Sequence, residues 1–207
     1  MRKWLFAAVL ATIGANMAYA GLDEGVAAYQ KKDYKTAAKE FQVLADKADA
    51  RAQYNLGFLY QEGLGVKKDI AKAASWFTRA AEQGHAGAQV NLGVLYANGR
   101  GVKKDFTEAL KWYRKAADQG NASGQFNVGV FYDNGRGVKR DTAEAARWYQ
   151  KAADQGDADA QFNLAVMLED GDGVAKDLAK AAELYKKAAA QGNKDAAKNL
   201  SLLQTAK

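Results

Sequence analysis

Five asparagines, Asn55, Asn91, Asn127, Asn163 and Asn199, fall 36 residues apart, and the spacing recurs at Trp76, Trp112 and Trp148 and at Gly84, Gly120, Gly156 and Gly192. Residues 86–121 and 122–157 agree at 23 of 36 positions without a gap. A unit of this length cannot bury an apolar face alone. A chain built this way must stack its units and share one core between neighbours. The repeats span 50–85, 86–121, 122–157 and 158–193. Residues 21–49 form a degenerate first unit in the same register, with Lys31-Lys32-Asp33 preceding Lys67-Lys68-Asp69. That unit lacks the Gly-x-Gly loop, so its turn must be shorter. Residues 194–207 restart the pattern and stop after one helix.

Each unit reads as two helices. In the second repeat the first helix runs from about Ala86 to Ala97, with Leu92, Gly93 and Tyr96 on one side. The loop Asn98-Gly99-Arg100-Gly101-Val102 turns on glycine, because the chain has no proline. Asp105 is placed to cap the second helix, Phe106 to Gln119. That helix carries Ala109, Trp112, Tyr113, Ala116 and Ala117, and Gly120 stands at its C′ position.

These residues resemble the Sel1-like repeat, a relative of the tetratricopeptide repeat with a longer inter-helix loop. The match rests on Ala86, Gln89, Asn91-Leu92-Gly93, Tyr96, Gly99, Gly101-Val102, Asp105, Ala109, Trp112, Ala116-Ala117 and Gln119-Gly120, and it covers residues 50–193. The first unit is more similar to a plain tetratricopeptide unit. The resemblance implies an all-α, right-handed α-solenoid of helix–loop–helix repeats that serves as a scaffold or adaptor. The fourth repeat departs from the pattern at Ala165, Leu168, Asp172 and Leu184, which fits a terminal, capping unit.

The chain opens Met1-Arg2-Lys3, follows with an apolar run from Trp4 to Ile13, and reaches Ala18-Tyr19-Ala20. This tripartite pattern predicts a signal peptide over 1–20 cleaved after Ala20. The run is too short for a membrane span. Export to the periplasm or the medium is the expectation, with no transmembrane anchor after cleavage. Loss of Arg2 and Lys3 leaves 28 basic and 24 acidic side chains, a net of about +4. That is too mild to indicate nucleic acid as a partner.

Chemistry is scarce. With no cysteine and one histidine, thiolate sites, disulfides and histidine pairs are excluded. A β-lactamase-like hydrolase, which the resemblance to cysteine-rich family members raises, would need Ser-x-x-Lys. Ser75, Ser123 and Ser201 are followed three positions on by Thr78, Phe126 and Gln204 instead. Gly99-Arg100-Gly101 has no phosphate-loop ending. His85 aligns with Asn121, Asp157 and Asn193 and reads as a turn residue. Glu169, Asp170 and Asp172 lack the ligand spacing of a calcium loop and read as a solvated turn. No catalytic residue, metal or cofactor is expected.

Two surfaces remain. The loop residues Lys67, Lys68, Arg100, Lys103, Lys104, Arg136, Lys139 and Arg140 fall at equivalent positions and form a basic edge, either a contact stripe for anionic partners or a set of solvated loops. The first helices carry the other surface. At 100° per residue, Ala52, Gln53, Leu56, Gly57 and Tyr60 point toward packing, while Arg51, Asn55, Phe58 and Glu62 point away. The resemblance makes this second face the concave groove. It holds a row of Asn55, Asn91, Asn127 and Asn163 beside Phe58, Val94, Val130 and Val166. Amides offer a partner backbone both donor and acceptor. The asparagines could equally tie one helix to the next, since Asn199 continues the row in the last helix. Tyr54, Phe126 and Phe162 border the face as expected packing residues between units. The leading expectation is a non-enzymatic scaffold binding a protein or peptide along this face. The alternative is a regulator of envelope, secretion or exopolysaccharide machinery docked through the basic edge. Oligomeric state is left open.

Overall fold

The computed structural model describes residues 21–205, and the expected signal segment 1–20 lies outside them. Among the described residues the secondary structure is helical throughout, joined by turns. Helix α1 covers 21–30, and α2 (Tyr34–Ala45) completes the first unit. The four repeats follow as α3 (Ala50–Glu62) with α4 (Ile70–Glu82), α5 (Ala86–Asn98) with α6 (Phe106–Asp118), α7 (Ala122–Asn134) with α8 (Thr142–Asp154), and α9 (Ala158–Asp170) with α10 (Leu178–Ala190). Helix α11 (Lys194–Thr205) closes the series.

The helix ends follow from local chemistry. Asp105 accepts the amides of Thr107 and Glu108 at 2.9 and 3.0 Å, and Asp69, Asp141 and Asp177 cap α4, α8 and α10 in the same way. Gly120 follows the Gln119 C-cap at φ +84°, as expected of a C′ glycine. The first unit lacks that glycine, and Ala48 occupies the left-handed region at φ +64°. Its short turn is made at Lys32, φ +61°.

The second glycine of each loop has a different task. A Cβ on Gly137 (φ +66°) would lie 2.6 Å from the carbonyl carbon of Phe106, at the start of the preceding repeat's second helix. Gly173 meets Thr142 in the same manner, at 2.4 Å. The loop therefore fastens each repeat to the one before it, and only glycine permits that approach.

The chain divides into two compact units. One holds the residues up to Ala88 with Gly99–Lys103, and the other holds Gln89–Asn98 with residues from Lys104 onward. In the first, α2, α3 and α4 pack in series around Phe41, Leu44, Leu56, Leu59 and Trp76. In the second, α6 to α11 pack in series. Its core runs from Leu110, Tyr113 and Phe131 to Tyr149, Leu164 and Tyr185. This is an all-α solenoid of helix–loop–helix repeats, in which each second helix buries its alanines and aromatics against the neighbouring first helices.

Candidate partner-binding site

Helix α3 sorts its residues as helical projection predicts. Ala52, Gln53, Leu56 and Gly57 are buried, Arg51 and Glu62 are exposed, and Asn55 and Phe58 are half-buried. The same half-burial holds for Asn91 and Val94 on α5, Asn127 and Val130 on α7, and Asn163 and Val166 on α9. Each asparagine and its apolar neighbour thus present part of their surface to solvent.

In each compact unit one such pair lines a depression. In the first unit Asn55 and Phe58 join Val26, Tyr29, Phe41 and Tyr54 around a volume of about 270 Å³. In the second, Asn163 and Val166 join Phe162, Met167 and the carboxylates of Asp133, Asp170 and Asp172 around about 330 Å³. Both volumes suit a side chain rather than a whole cofactor.

The asparagines differ in how far they are used internally. Asn199 donates to the Tyr185 hydroxyl at 3.1 Å, and Asn163 bonds the Tyr149 hydroxyl in the equivalent way. Asn127 turns to its own helix and donates to the Ser123 carbonyl at 2.8 Å. Asn55 faces the position of Phe41, which has no hydroxyl to receive it. Tyr185 in turn donates to Glu169 at 2.6 Å, and burial first, then that carboxylate, pushes its ionisation far above the usual phenol range.

The bordering aromatics depart from expectation. Tyr54, Phe126 and Phe162 pack on Phe77, Tyr149 and Tyr185, with ring centroids 5.8 to 5.9 Å apart. Each pair lies within one repeat, not between repeats. The cause is the wide ring at the middle of the second helix, which reaches its own repeat's first helix.

The basic residues are not equivalent. Lys67 and Lys68 are exposed and, with Tyr60, Val66 and Lys72, line a depression of about 450 Å³. Arg100, Lys103 and Lys139 are also exposed. Lys104 and Arg136 sit over the Phe106 ring, 4.7 and 6.0 Å from its centroid. Arg140 folds back, donating to the Asp133 carbonyl at 2.8 Å and to Asp172 at 2.9 Å. Its charge is thereby spent inside the second unit, and Asp172 is paired rather than merely solvated.

His85 is a helix cap. Its Nδ1 accepts the Ala88 amide at 3.1 Å, the bond that Asn121 makes to Gly124 and Asp157 to Ala160. The ring stacks on Tyr54 at 4.5 Å. Burial holds its pKa below the ordinary 6.5, against the opposing pull of the Asp49 carboxylate. Among the described residues no cluster of histidine and carboxylates could hold a metal ion, and no helix is long and apolar enough to cross a membrane.

The packing side of the first helices also holds polar side chains. Gln53, Gln89, Gln125 and Gln161 are the buried polar side chains among the described residues. Each accepts a bond from the glutamine that ends its repeat's second helix, Gln83, Gln119, Gln155 or Gln191, at 2.7 to 3.0 Å. Both glutamine rows repeat every 36 residues, and the projection puts Gln53 on the packing side, but nothing in the sequence shows that the second row bonds the first.

The Sel1 repeat model matches residues 50–85, 86–121, 122–157 and 158–193. Among solved structures the chain is similar to a protective antigen of uropathogenic Escherichia coli with an SLR fold, at 37% identity and TM-score 0.85, over 92% of this chain and 42% of that one. It is similar to a Sel1 repeat protein from Oxalobacter formigenes, at 39% identity and TM-score 0.76, over 81% and 66% respectively. Helicobacter pylori cysteine rich protein B matches at 30% identity and TM-score 0.52, over 65% of this chain and 97% of that one. The chain thus spans about two fifths of the first of these proteins and about two thirds of the second. No curated protein matches it.

Proposed function

The chain belongs to the Sel1 repeat family, and on that premise we propose that it is an exported, non-enzymatic scaffold that holds a protein or peptide partner along the face of its first helices. Sel1 repeat proteins are typically protein-interaction scaffolds. One observation carries the site: in each compact unit an asparagine and its apolar neighbour line the same side-chain-sized depression. The apolar wall takes a side chain, and the amide bonds the partner's backbone beside it. Export rests on the basic start, the apolar run and Ala18-Tyr19-Ala20.

The test is capture from an envelope extract by the immobilised protein, beside Asn55→Ala with Phe58→Ala. Asn55 is the informative member because the facing Phe41 carries no hydroxyl, so its loss does not strip a structural bond. A partner retained by the parent and lost by the double variant supports the reading. Equal retention by both removes it.

Docking through the basic edge is the second reading, favoured by the depression that Lys67, Lys68 and Lys72 surround. It predicts binding that weakens steeply with salt and is lost on Lys67→Glu with Lys68→Glu. Binding indifferent to both would dismiss it.

A further inference from the structure

The fourth repeat carries a cavity that the third fills with its own side chain. In the third repeat Tyr132 reaches from α7 to α6, where Arg114 donates to its hydroxyl and lies 5.3 Å from its ring centroid. Thirty-six residues on, Leu168 stands in place of Tyr132 and Gln150 in place of Arg114. The shorter side chain stops at the floor. Above it a pocket of about 510 Å³ opens between α8, α9, the following loop and α10. Ala143, Ala146, Leu164, Leu168 and Val174 supply its apolar wall. It shares no residue with the depression beside Asn163.

The rim is polar and net positive. Lys180 donates to Gln150 at 3.0 Å, Lys151 lies over the Trp148 ring, and Arg147 pairs with Glu144 at 2.9 Å. Three cations therefore face one carboxylate. The apolar walls have the chemistry that receives a phenol ring in the preceding repeat. Lys180, bonded to Gln150, offers a donor beside the position where Arg114 met the hydroxyl, the Gln150 amide itself donating to Asp154 at 2.7 Å. The cationic excess selects carboxylates outside the ring.

We propose that this pocket binds a tyrosine side chain of an acidic partner segment, the ring replacing the tyrosine that the fourth repeat lacks and flanking carboxylates pairing with Lys151 and Lys180. This goes beyond the first-helix face and stands independently of it.

The probes are acetylated, amidated Glu-Tyr-Glu and Glu-Ala-Glu peptides, titrated into the full chain by calorimetry and by NMR of the Leu168 and Val174 methyls. The tyrosine peptide should bind saturably and shift those methyls, with the alanine peptide weaker by about ten-fold or more, the usual effect of losing one buried aromatic anchor. Leu168→Tyr restores the repeat's own ring and should abolish binding while circular dichroism stays unchanged. Lys180→Glu, at an exposed position, should weaken binding at low salt whether or not Leu168→Tyr folds. Asn55→Ala should leave it untouched. Absence of saturable binding, equal affinity for the two peptides, or binding that survives both Leu168→Tyr and Lys180→Glu would overturn the proposal.

Discussion

The side-chain amide of Gln119 donates to the buried side-chain oxygen of Gln89 at 2.7 Å, joining the last turn of one helix to the first turns of its repeat partner. The same bond closes the other three repeats, and the buried glutamine also faces backward. Gln53 donates to the Ala45 carbonyl at 3.1 Å and Gln161 to the Ala153 carbonyl at 3.2 Å, each at the end of the preceding unit's second helix. One amide thus satisfies a helix-end carbonyl of the previous unit and a side chain of its own. A buried amide persists only when both of its ends are bonded.

The two glutamines of a clasp should differ in cost. Gln53→Leu keeps the volume and leaves the Ala45 carbonyl its bond from the Ala48 amide at 3.0 Å, while the exposed Gln83 turns to water, a loss of about 0.5–1.5 kcal/mol. Gln83→Ala removes the donor to the buried Gln53 side-chain oxygen, whose amide nitrogen alone stays bonded, a loss of about 1–3 kcal/mol. Urea unfolding of the two variants checks the order. Equal losses would place the clasp's value in packing instead.

Two glycine positions, both left-handed, should respond unequally to alanine. At Gly156 (φ +92°) a Cβ meets nothing within 4 Å, so Gly156→Ala costs only the backbone strain, about 1–2 kcal/mol. At Gly137 the Cβ would also strike the Phe106 backbone at 2.6 Å, so the loop must shift and the cost should exceed that of Gly156→Ala. The converse change, Ala48→Gly, relieves a strained alanine at the position equivalent to Gly84 and should stabilise by about 0.5–1 kcal/mol. Thermal and urea unfolding read all three.

Much of this was legible because a repeat states its own alignment. Asp105, Gly120 and the buried side of α3 could be placed from periodicity and capping rules alone. The packing partners could not. The sequence shows that Phe126 is apolar and near the first-helix face, but only the distance to Tyr149 assigns it to its own repeat. Arg140 reads as one more loop cation, and its bond to Asp172 depends on how consecutive loops stack. The projection placed Gln53 on the packing side, yet only the folded chain shows Gln83, 30 residues on, bonding it. The site was legible as a face, and its depressions at Asn55 and Asn163 needed the neighbouring units in place.

His85 should make stability depend on pH. Its Nδ1 caps α5 only while unprotonated, and burial already disfavours the imidazolium. Above the ordinary value of 6.5 the ring is neutral in both the folded and the unfolded chain, so its contribution is constant. As the pH falls through that value the unfolded chain takes up the proton first. Stability then declines until the folded ring also protonates at lower pH. His85→Asn supplies a cap that does not titrate, as Asn121 does one repeat later. Urea unfolding between about pH 5 and 8, above most carboxylate titrations, should slope for the parent and flatten for the variant. A slope that survives His85→Asn would assign it to other groups.

Asn55 and Asn163 occupy equivalent positions but should not be equivalent in energy. Asn163 bonds the Tyr149 hydroxyl, whose ring is 1% exposed, so Asn163→Ala leaves a buried hydroxyl with one partner fewer. The expected loss is about 1 kcal/mol. Asn55 faces Phe41, and its replacement by alanine removes no hydroxyl bond, so the fold should lose less than about 0.5 kcal/mol, as for an ordinary surface change. Phe41→Tyr would supply the missing hydroxyl and should raise the cost of Asn55→Ala toward that of Asn163→Ala. A double-mutant cycle between positions 41 and 55 measures the coupling directly. Zero coupling would mean that the asparagine row does not owe its structural role to the tyrosines at all. The row's recurrence would then rest on the partner that Asn55 and its equivalents are proposed to bind.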